Sequence, residues 1–253
     1  TLGGSGKTPL AIASARHLAS LGHRVALVGH AYAASPPRAP RRVRADDDPN
    51  LVGDEALECA RALDGVATVL VARRKQDALD EAARFADVVV LDGPLQLAPA
   101  RATLSLLAVD PRAPWGSGAC PPLGDLRAPR EALLAATDEV VPVAGSSRGV
   151  VHRGELLRWD DVASRRVGLV TGIARPSRVA DLLRAHGVTP TCTVSFADHA
   201  ALILRTRNPH GVELWLTTQK DHARGAHFAA IDYYLDLPDS TAERLTARFP
   251  FRF

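Results

Sequence analysis

Short apolar runs alternate with amphipathic stretches along most of the chain. The apolar runs predict strands at residues 25–29, 67–72, 88–92, 104–110, 140–143, 167–171, 191–196, 212–217 and 231–237. Apolar residues at helical spacing predict helices at residues 9–21, 53–63, 76–85, 130–137, 177–186 and 241–249. Because the strands are apolar throughout, they are typical of a sheet that is covered on both faces. The pattern therefore predicts an α/β fold with a doubly wound, mostly parallel sheet.

Two polar stretches interrupt this pattern. Residues 144–147 read Ala-Gly-Ser-Ser and begin a polar segment that runs to about residue 166. We therefore predict a nucleotide-binding domain at residues 1–150 and a smaller C-terminal α/β domain at residues 151–253. Residues 36–44 are basic and rich in proline, which removes backbone donors, so we expect an irregular loop there.

The first eight residues, TLGGSGKT, resemble a phosphate-binding loop, although Thr1 stands where the strict pattern has glycine. Small residues let backbone N–H groups surround a phosphate chain, and the helix that follows directs its N-terminal dipole at the same anion. A loop of this kind follows a buried strand. We therefore expect that strand, which would be the first of the sheet, to lie upstream of Thr1. A glycine-rich turn that happens to end in Lys-Thr is the alternative.

The composition of the chain favours some classes of function and argues against others. The 253 residues are 46% hydrophobic, which is enough for one large or two modest cores, and no run approaches the roughly 18 apolar residues of a membrane span. A net charge of +3 suits an anionic substrate or lipid surface. Aromatic residues make up 5% and do not interleave with basic ones, so we expect no nucleic-acid partner. The three cysteines are far apart and show no metal-ligand spacing.

Several motifs follow one another in an order that is more specific than any one of them. They are TLGGSGKTP at 1–9, GHAYA at 29–33, VGDE at 52–55, VVVLDGPLQ at 88–96, PLGDLRAP at 122–129, GIARP at 172–176, FADH at 196–199 and TTQKD at 217–221. On these motifs the chain resembles the tetraacyldisaccharide 4'-kinase family, the lipid A 4'-kinases. The resemblance implies a P-loop kinase that uses ATP and Mg²⁺ to phosphorylate the 4' hydroxyl of a tetraacylated glucosamine disaccharide lipid. It also implies peripheral attachment to the cytoplasmic face of the bacterial inner membrane through an N-terminal segment upstream of this sequence.

The sequence motifs alone predict which residues bind the nucleotide and its metal ion. Phosphoryl transfer requires charge neutralisation and positioning. The residues expected to bind ATP are Gly3, Gly4, Ser5, Gly6, Lys7 and Thr8. Lys7 supplies the cation for the outer phosphates, and we also assign it a catalytic role. The Thr8 hydroxyl and Asp92, at the end of an apolar strand, are the expected Mg²⁺ ligands.

The residues predicted to contact the acceptor and to take its proton depend more on the resemblance to the family than the nucleotide-binding residues do. Asp54 and His199 match the family's catalytic aspartate and its histidine partner, and a carboxylate–imidazole pair is an effective proton acceptor. The alternatives are a helix N-cap for Asp54 and a surface histidine for His199. Arg127 and Tyr32 are the expected substrate contacts, with a loop-capping arginine and a half-buried tyrosine as their alternatives.

Two motifs depart from the family pattern. The family reads LDDGFQH where this chain has LDGPLQL at 91–97, so Gly93 and Leu97 replace an aspartate and a histidine. It reads SRGYG where this chain has GHAYA, so His30 replaces an arginine. Two rival functions therefore stay open at this point: a non-catalytic nucleotide-binding relative, and a P-loop kinase that acts on a soluble small molecule.

Overall fold

The computed structural model describes residues 4–31, 34–36, 38–93, 101–173, 176–196, 211–223 and 228–251. The strands are β1 (Val25–Val28), β2 (Arg41–Arg42), β3 (Thr68–Val71), β4 (Val88–Leu91), β5 (Leu106–Val109), β6 (Glu139–Pro142), β7 (Ser146–His152), β8 (Glu155–Arg158), β9 (Val167–Thr171), β10 (Cys192–Ser195), β11 (Leu214–Thr217) and β12 (Ala229–Tyr234). The helices are α1 (Lys7–Ser20), α2 (Pro49–Val52), α3 (Asp54–Ala62), α4 (Lys75–Ala82), α5 (Arg130–Ala135), α6 (Trp159–Ala163), α7 (Pro176–Ala185), α8 (Gln219–Ala223) and α9 (Asp239–Arg248).

The chain divides into two compact units. The first comprises Thr1–Gly145 together with Leu235–Phe253, and the second comprises Ser146–Tyr234. The second unit begins close to the expected boundary at residue 150, but the last helix lies in the first unit, whereas the sequence assigned it to the second domain. The reason is its packing: α9 lies against α1, where His17 Nε2 and Thr246 Oγ1 are 3.0 Å apart.

The first unit is built on a sheet of order β2-β3-β1-β4. Strand β1 lies centrally, pairs in parallel with β3 and β4, and is buried at all four positions. Strands β5 and β6 form a separate parallel pair. Helix α1 packs against β1, β4 and β5, and its Leu10 and Ala13 share a core with Ala108 and Val141. The arrangement brings the ends of β1, β3 and β4 to one edge of the sheet, which is where the functional motifs follow.

The proline-rich segment 36–44 is not wholly irregular, so that prediction was wrong for two residues. Arg41 and Arg42 form β2, which pairs antiparallel with β3. The prolines end at Pro40, so both arginines keep their backbone donors and add an edge strand to the sheet. The guanidinium of Arg41 is also anchored by Asp47.

The second unit has a sheet of order β10-β9-β11-β12-β7-β8. Strands β9 to β12 are parallel to one another, whereas β7 pairs antiparallel with β12 and β8. The polar stretch that the sequence left unassigned forms the β7–β8 hairpin and α6. Its two-residue turn, Arg153 and Gly154, has positive φ at both positions, 53° and 86°, as the type I′ hairpin turn requires. Trp159 then closes the hairpin over the core, and its Nε1 donates to the Ser147 carbonyl at 3.0 Å.

The predicted fold class is confirmed: both units are α/β, and most strand pairs are parallel. Within the described ranges, no helix is long and apolar enough to cross a membrane.

Candidate active site

The loop before α1 has the geometry of a phosphate cradle. Gly6 is the N-cap of α1 and lies in the left-handed region with φ 85°, and its carbonyl accepts the first helical hydrogen bond from Leu10 at 3.1 Å. A Cβ at Gly6 would collide with the side chain of Val143. Glycine is therefore required here both for its φ and for the close approach of the loop to its neighbour. Gly4 is exposed, while Gly3 lies outside the described residues.

In the structure, the side chain of Thr8 contacts the carboxylate of Asp92, the residue that directly follows β4. Thr8 Oγ1 donates to Asp92 Oδ2 at 2.8 Å, although 84 residues separate the two. Asp92 is 5% exposed and continues the sheet, since its N–H donates to the Val28 carbonyl at 3.1 Å. Lys7 Nζ lies beside the same loop and donates to the buried Ser5 Oγ at 3.3 Å. The nucleotide-side residues thus converge from α1 and β4.

The oxygen donors at this point fit Mg²⁺. A hydroxyl and a carboxylate oxygen at 2.8 Å are hard ligands of the kind that Mg²⁺ takes, and Mg²⁺ is commonly held by one or two carboxylates plus substrate phosphates. No group of three or more His, Cys, Asp or Glu side chains that could hold a metal occurs among the described residues. A metal here would therefore depend on phosphate oxygens for the rest of its coordination.

A cation that the sequence did not single out holds the turn after β4. Lys75, the first residue of α4, donates from Nζ to the Asp92 carbonyl at 2.5 Å and approaches the Gly93 carbonyl at 3.5 Å. Burial lowers the pKa of Lys75, and the nearby charge of Arg127 lowers it further, whereas Asp92 and Glu55 act in the opposite direction. The charge of Arg127 therefore acts on the Lys75 ammonium group, which holds the turn after β4.

His30 belongs to the same cluster. Burial lowers its pKa first and Lys75 second, while Glu55 and Asp92 oppose the shift. A cavity of about 360 Å³ opens here, lined by Gly29, His30, Ala31, Ala34, Pro36, Ala72, Arg73, Lys75 and Gly93. The site is therefore a cationic pocket beside a carboxylate, which suits an anion next to a metal-binding edge.

Asp54 is positioned by the start of α3. It is the first helical residue, it is 6% exposed, and its Oδ1 accepts the N–H of Glu55 at 3.0 Å. Gly53, not Asp54, occupies the N-cap. His199 and Tyr32, the other two acceptor-side residues, lie outside the described residues, so the expected Asp54–His199 pair stays a prediction.

Comparisons with known proteins decide the family. The family model described as Tetraacyldisaccharide-1-P 4'-kinase matches residues 1–248. The chain belongs to this family. A tetraacyldisaccharide 4'-kinase of Acidithiobacillus ferrooxidans is 32% identical over 91% of this chain and 75% of its own length. One of Methylobacterium sp. strain 4-46 is 35% identical over 88% of this chain and 73% of its own.

A solved structure shows the same fold. The crystal structure of LpxK from Aquifex aeolicus in complex with ATP superposes with a TM-score of 0.76. The superposition covers 100% of this chain and 86% of the Aquifex aeolicus chain, and the two sequences are 19% identical. At this level of identity the likeness concerns the fold, and it agrees with the P-loop kinase architecture expected for the family.

The family motifs of the second unit meet at the carboxyl edge of its parallel strands. Thr218 caps α8: its hydroxyl donates to Asp221 Oδ2 at 2.9 Å and accepts the Asp221 N–H at 3.1 Å. The same Oδ2 accepts the N–H of Gly172, which follows β9, at 3.0 Å. Asp221 is fully buried. The TTQKD and GIARP motifs are therefore joined by one carboxylate, which fixes the geometry of this edge.

Proposed function

We propose that this chain is an ATP-dependent kinase of lipid A biosynthesis that phosphorylates the 4' hydroxyl of a tetraacylated glucosamine disaccharide 1-phosphate. The observation that carries the proposal is the Thr8–Asp92 hydrogen bond at the start of α1, in a chain whose family has this activity. The contact joins the phosphate-binding loop to the carboxylate where a nucleotide's metal is held in P-loop enzymes. Phosphoryl transfer then requires the ATP phosphates and the acceptor hydroxyl to be bound next to each other at the sheet edge where β1 and β4 end.

The loop binds the ATP phosphates. The backbone N–H groups of Gly4, Ser5 and Gly6 would bind the phosphate chain, and the helix dipole of α1 would add to the attraction. Lys7 provides the cation for the transferring phosphoryl group, where negative charge is spread over its oxygens in the transition state. The Lys7 ammonium group lies beside the loop, where it donates a hydrogen bond to the Ser5 hydroxyl.

Thr8 and Asp92 are the residues that would hold Mg²⁺. When bound, the ion neutralises charge on the outer phosphates. This chain supplies one carboxylate at the position where its relatives have two, because Gly93 replaces the second. Lys75 fixes the Asp92 turn by holding its carbonyl, so that the one remaining carboxylate is kept in place toward Thr8.

Asp54 and His199 are proposed to take the proton of the 4' hydroxyl. The burial of Asp54 at a helix start supports the assignment, because its Oδ1 accepts the Glu55 N–H and the carboxylate is thereby oriented in a water-poor site. Arg127 and Tyr32 are proposed to contact the acceptor. For Arg127 the support is that its charge lowers the pKa of Lys75 and His30, which line the cavity.

The acceptor also suggests where the enzyme works. A tetraacylated disaccharide is a membrane lipid, so we propose that the protein acts at the cytoplasmic face of the bacterial inner membrane as a peripheral protein.

A comparison of acceptors tests the proposal. Purified protein is incubated with labelled ATP and Mg²⁺ and one of three acceptors: the tetraacyldisaccharide 1-phosphate in detergent, its fully deacylated form, or none. We expect label in the tetraacylated lipid, with little in the deacylated form. ATP binding without transfer to any acceptor would instead support a non-catalytic nucleotide-binding protein, and preferential transfer to the deacylated sugar would support a kinase of soluble molecules.

A further inference from the structure

Asp92 is held at three points by three different elements. Its N–H donates to the carbonyl of Val28 in β1 at 3.1 Å, and its Oδ2 accepts the hydroxyl of Thr8 in α1 at 2.8 Å. Its carbonyl accepts the ammonium group of Lys75 in α4 at 2.5 Å. The pairing of β1 with β4 ends at Val28 and Leu91, so Lys75 holds the carbonyl that follows the paired strands.

The residue after Asp92 adds conformational freedom at this edge of the sheet. The φ angle of Gly93 is 64°, and a Cβ built on Gly93 meets no heavy atom of the described residues within 4 Å. Glycine also has a wider choice of backbone conformations than any other residue. Lys75 Nζ lies 3.5 Å from the Gly93 carbonyl, so one ammonium group spans two successive carbonyls of the turn. The cation therefore restricts the turn where its sequence is most permissive.

Lys75 is itself positioned by the packing of α4. It is the first residue of this helix, which packs against β1 and β3. Ala78 and Ala82 of α4 are fully buried in a core that includes Val28 of β1. Residues three apart on a helix are neighbours on its surface, so Lys75 begins on the side of the helix where Ala78 is buried. The sheet that carries Asp92 thus also fixes the start of the lysine side chain.

The charge of Lys75 is unfavourable where it lies, which indicates a role other than stability. Burial lowers the pKa of Lys75 because it penalises the charged form, and Arg127 acts in the same direction, whereas Asp92 and Glu55 oppose the shift. The helix dipole also disfavours a cation in the first turn of a helix. An uncharged residue would avoid both costs, and residues that break local rules in this way are expected at functional sites.

We propose that Lys75 is a positioning residue for Asp92: by holding two successive carbonyls, it fixes the direction in which Asp92 presents its carboxylate to the metal site. In this role Lys75 acts through the backbone of the turn and contacts neither the nucleotide nor the metal ion. The inference rests on the proposed function, in which Thr8 and Asp92 hold Mg²⁺ beside the ATP phosphates.

The position and the charge of Lys75 have opposite effects on the metal. A cation beside a carboxylate repels Mg²⁺, so removal of the charge alone would strengthen Mg²⁺ binding. Loss of the hold on the turn would weaken Mg²⁺ binding, because the Asp92 carboxylate would no longer be kept at the Thr8 hydroxyl. The direction of the change in a Lys75 variant therefore distinguishes a positioning role from a purely electrostatic one.

Calorimetric titrations with ADP measure this direction without any phosphoryl transfer. The chain is titrated with ADP in Mg²⁺ and again in EDTA, and the ratio of the two affinities gives the contribution of the metal. Lys75→Met keeps the length of the side chain but removes its charge and its donors. We expect this variant to lower the ratio by about tenfold, the effect of losing one hydrogen bond to a charged group, with an unchanged affinity in EDTA.

Two variants are matched controls for this titration. Lys75→Arg keeps a cation with several donors and should restore most of the ratio. Arg73 is an exposed cation that lines the same cavity and has no hydrogen bond to the turn among the described residues. Arg73→Met should therefore not lower the ratio. An equal fall in Arg73→Met and Lys75→Met would assign the effect to the charge of the cavity and overturn the proposal.

Denaturant titration separates positioning from a structural contribution. Because burial and the helix dipole both disfavour the charge, Lys75→Met should unfold at the same denaturant concentration as the unmodified chain or at a higher one. A ratio that falls together with the unfolding midpoint would show that Lys75 only stabilises the fold, and the proposal would be wrong.

The outcomes are separable from the kinase proposal. A ratio that Lys75→Met lowers and Lys75→Arg restores, in a protein that transfers no phosphoryl group to the lipid, would support the positioning role and refute the proposed function. A ratio that is unchanged or raised in Lys75→Met would overturn the positioning role whatever the kinase assay shows. A weaker affinity for ADP in EDTA would show that Lys75 contacts the phosphates directly, and it would overturn the proposal as well.

Discussion

Gly93 directly follows Asp92, the proposed Mg²⁺ ligand, and its substitution is the most informative change of a single residue. Its φ is 64°, and a Cβ built on it meets no heavy atom within 4 Å. Gly93→Asp therefore has space, and aspartate tolerates the left-handed region better than most residues. Because a second carboxylate strengthens Mg²⁺ binding, we expect the variant to reach its half-maximal rate at a lower Mg²⁺ concentration, measured by titration of Mg²⁺ at saturating ATP.

Gly93→Ala is the matched control, since it imposes a backbone strain of about 1 kcal/mol, at least that of the aspartate variant, without a carboxylate. It should leave the Mg²⁺ requirement unchanged. Asp92→Ala should be far more damaging to the rate than either change at Gly93. A normal rate and Mg²⁺ dependence in Asp92→Ala would show that this carboxylate is not the metal ligand.

The proposed proton-accepting pair is tested by a double-mutant cycle. Asp54→Ala and His199→Ala should each lower kcat by roughly a hundredfold or more, the usual scale for loss of a general base. Because the two residues act as one unit in this proposal, the double variant should be little slower than either single variant. Losses in kcat that multiply in the double variant would assign the two residues independent roles.

His30 predicts a pH dependence of stability. Its pKa is lowered in the folded protein, chiefly by burial, whereas in the unfolded chain it is near 6.5. The unfolded chain therefore takes up the proton first as pH falls, and the stabilisation present above about pH 6.5 is lost below it. The free energy of unfolding relative to His30→Gln should fall by at most about 1.4 kcal/mol per pH unit below that point. Denaturant titrations from pH 5 to 8 measure it, and a difference that is independent of pH would contradict the prediction.

The sequence indicated some of these residues and not others. Lys7, Thr8 and Asp92 could be named because a phosphate-binding loop and the end of a buried strand have local signatures. Lys75 has no such signature, since a lysine at the start of a helix is usually solvated. Only the packing of α4 against β1 and β3 brings the Lys75 Nζ to the Asp92 carbonyl.

At the scale of elements, the turn into α1 is the most constrained. Gly6→Ala should abolish MgATP binding and lower the free energy of unfolding, because the new Cβ collides with Val143 in addition to the strain of a positive φ. Gly65→Ala is the control, since φ at Gly65 is 68° and a Cβ there meets nothing within 4 Å. Gly65→Ala should lower the free energy of unfolding only by about 1 kcal/mol, the strain of a positive φ, and should keep its affinity for MgATP. Equal losses of stability in the two variants would show that Val143 does not limit the loop.

The strands of the structure show which elements the hydrophobic pattern of the sequence could predict. Strands such as β1 and β9 were predicted because they are buried at every position and so read as continuous apolar runs. The β7–β8 hairpin was missed because its turn is Arg153-Gly154, which lacks the Asn-Gly or Asp-Gly signal, and because its strands expose several polar positions. Strand β2 was missed because the prolines before it dominate the local composition.

At the scale of the whole molecule, two α/β units carry the family motifs at the carboxyl edges of their parallel strands. The return of the last residues to the first unit could not be read from the sequence. It depends on contacts between residues more than a hundred positions apart, such as Thr241 Oγ1 donating to Glu139 Oε1 at 2.7 Å. The helical pattern of α9 predicts a helix but not the surface on which it packs.

The proposed function requires the loop before α1 to drive phosphoryl transfer to a lipid acceptor. The most direct test follows label from ATP into tetraacyldisaccharide 1-phosphate in Lys7→Ala, with calorimetric MgATP binding measured on the same protein. Arg16→Ala, which removes a cation from the exposed face of the same helix, is the control. We predict that Lys7→Ala loses transfer by at least about a hundredfold and binds MgATP more weakly, while Arg16→Ala does neither. Transfer and MgATP affinity that are unchanged in Lys7→Ala would contradict the account.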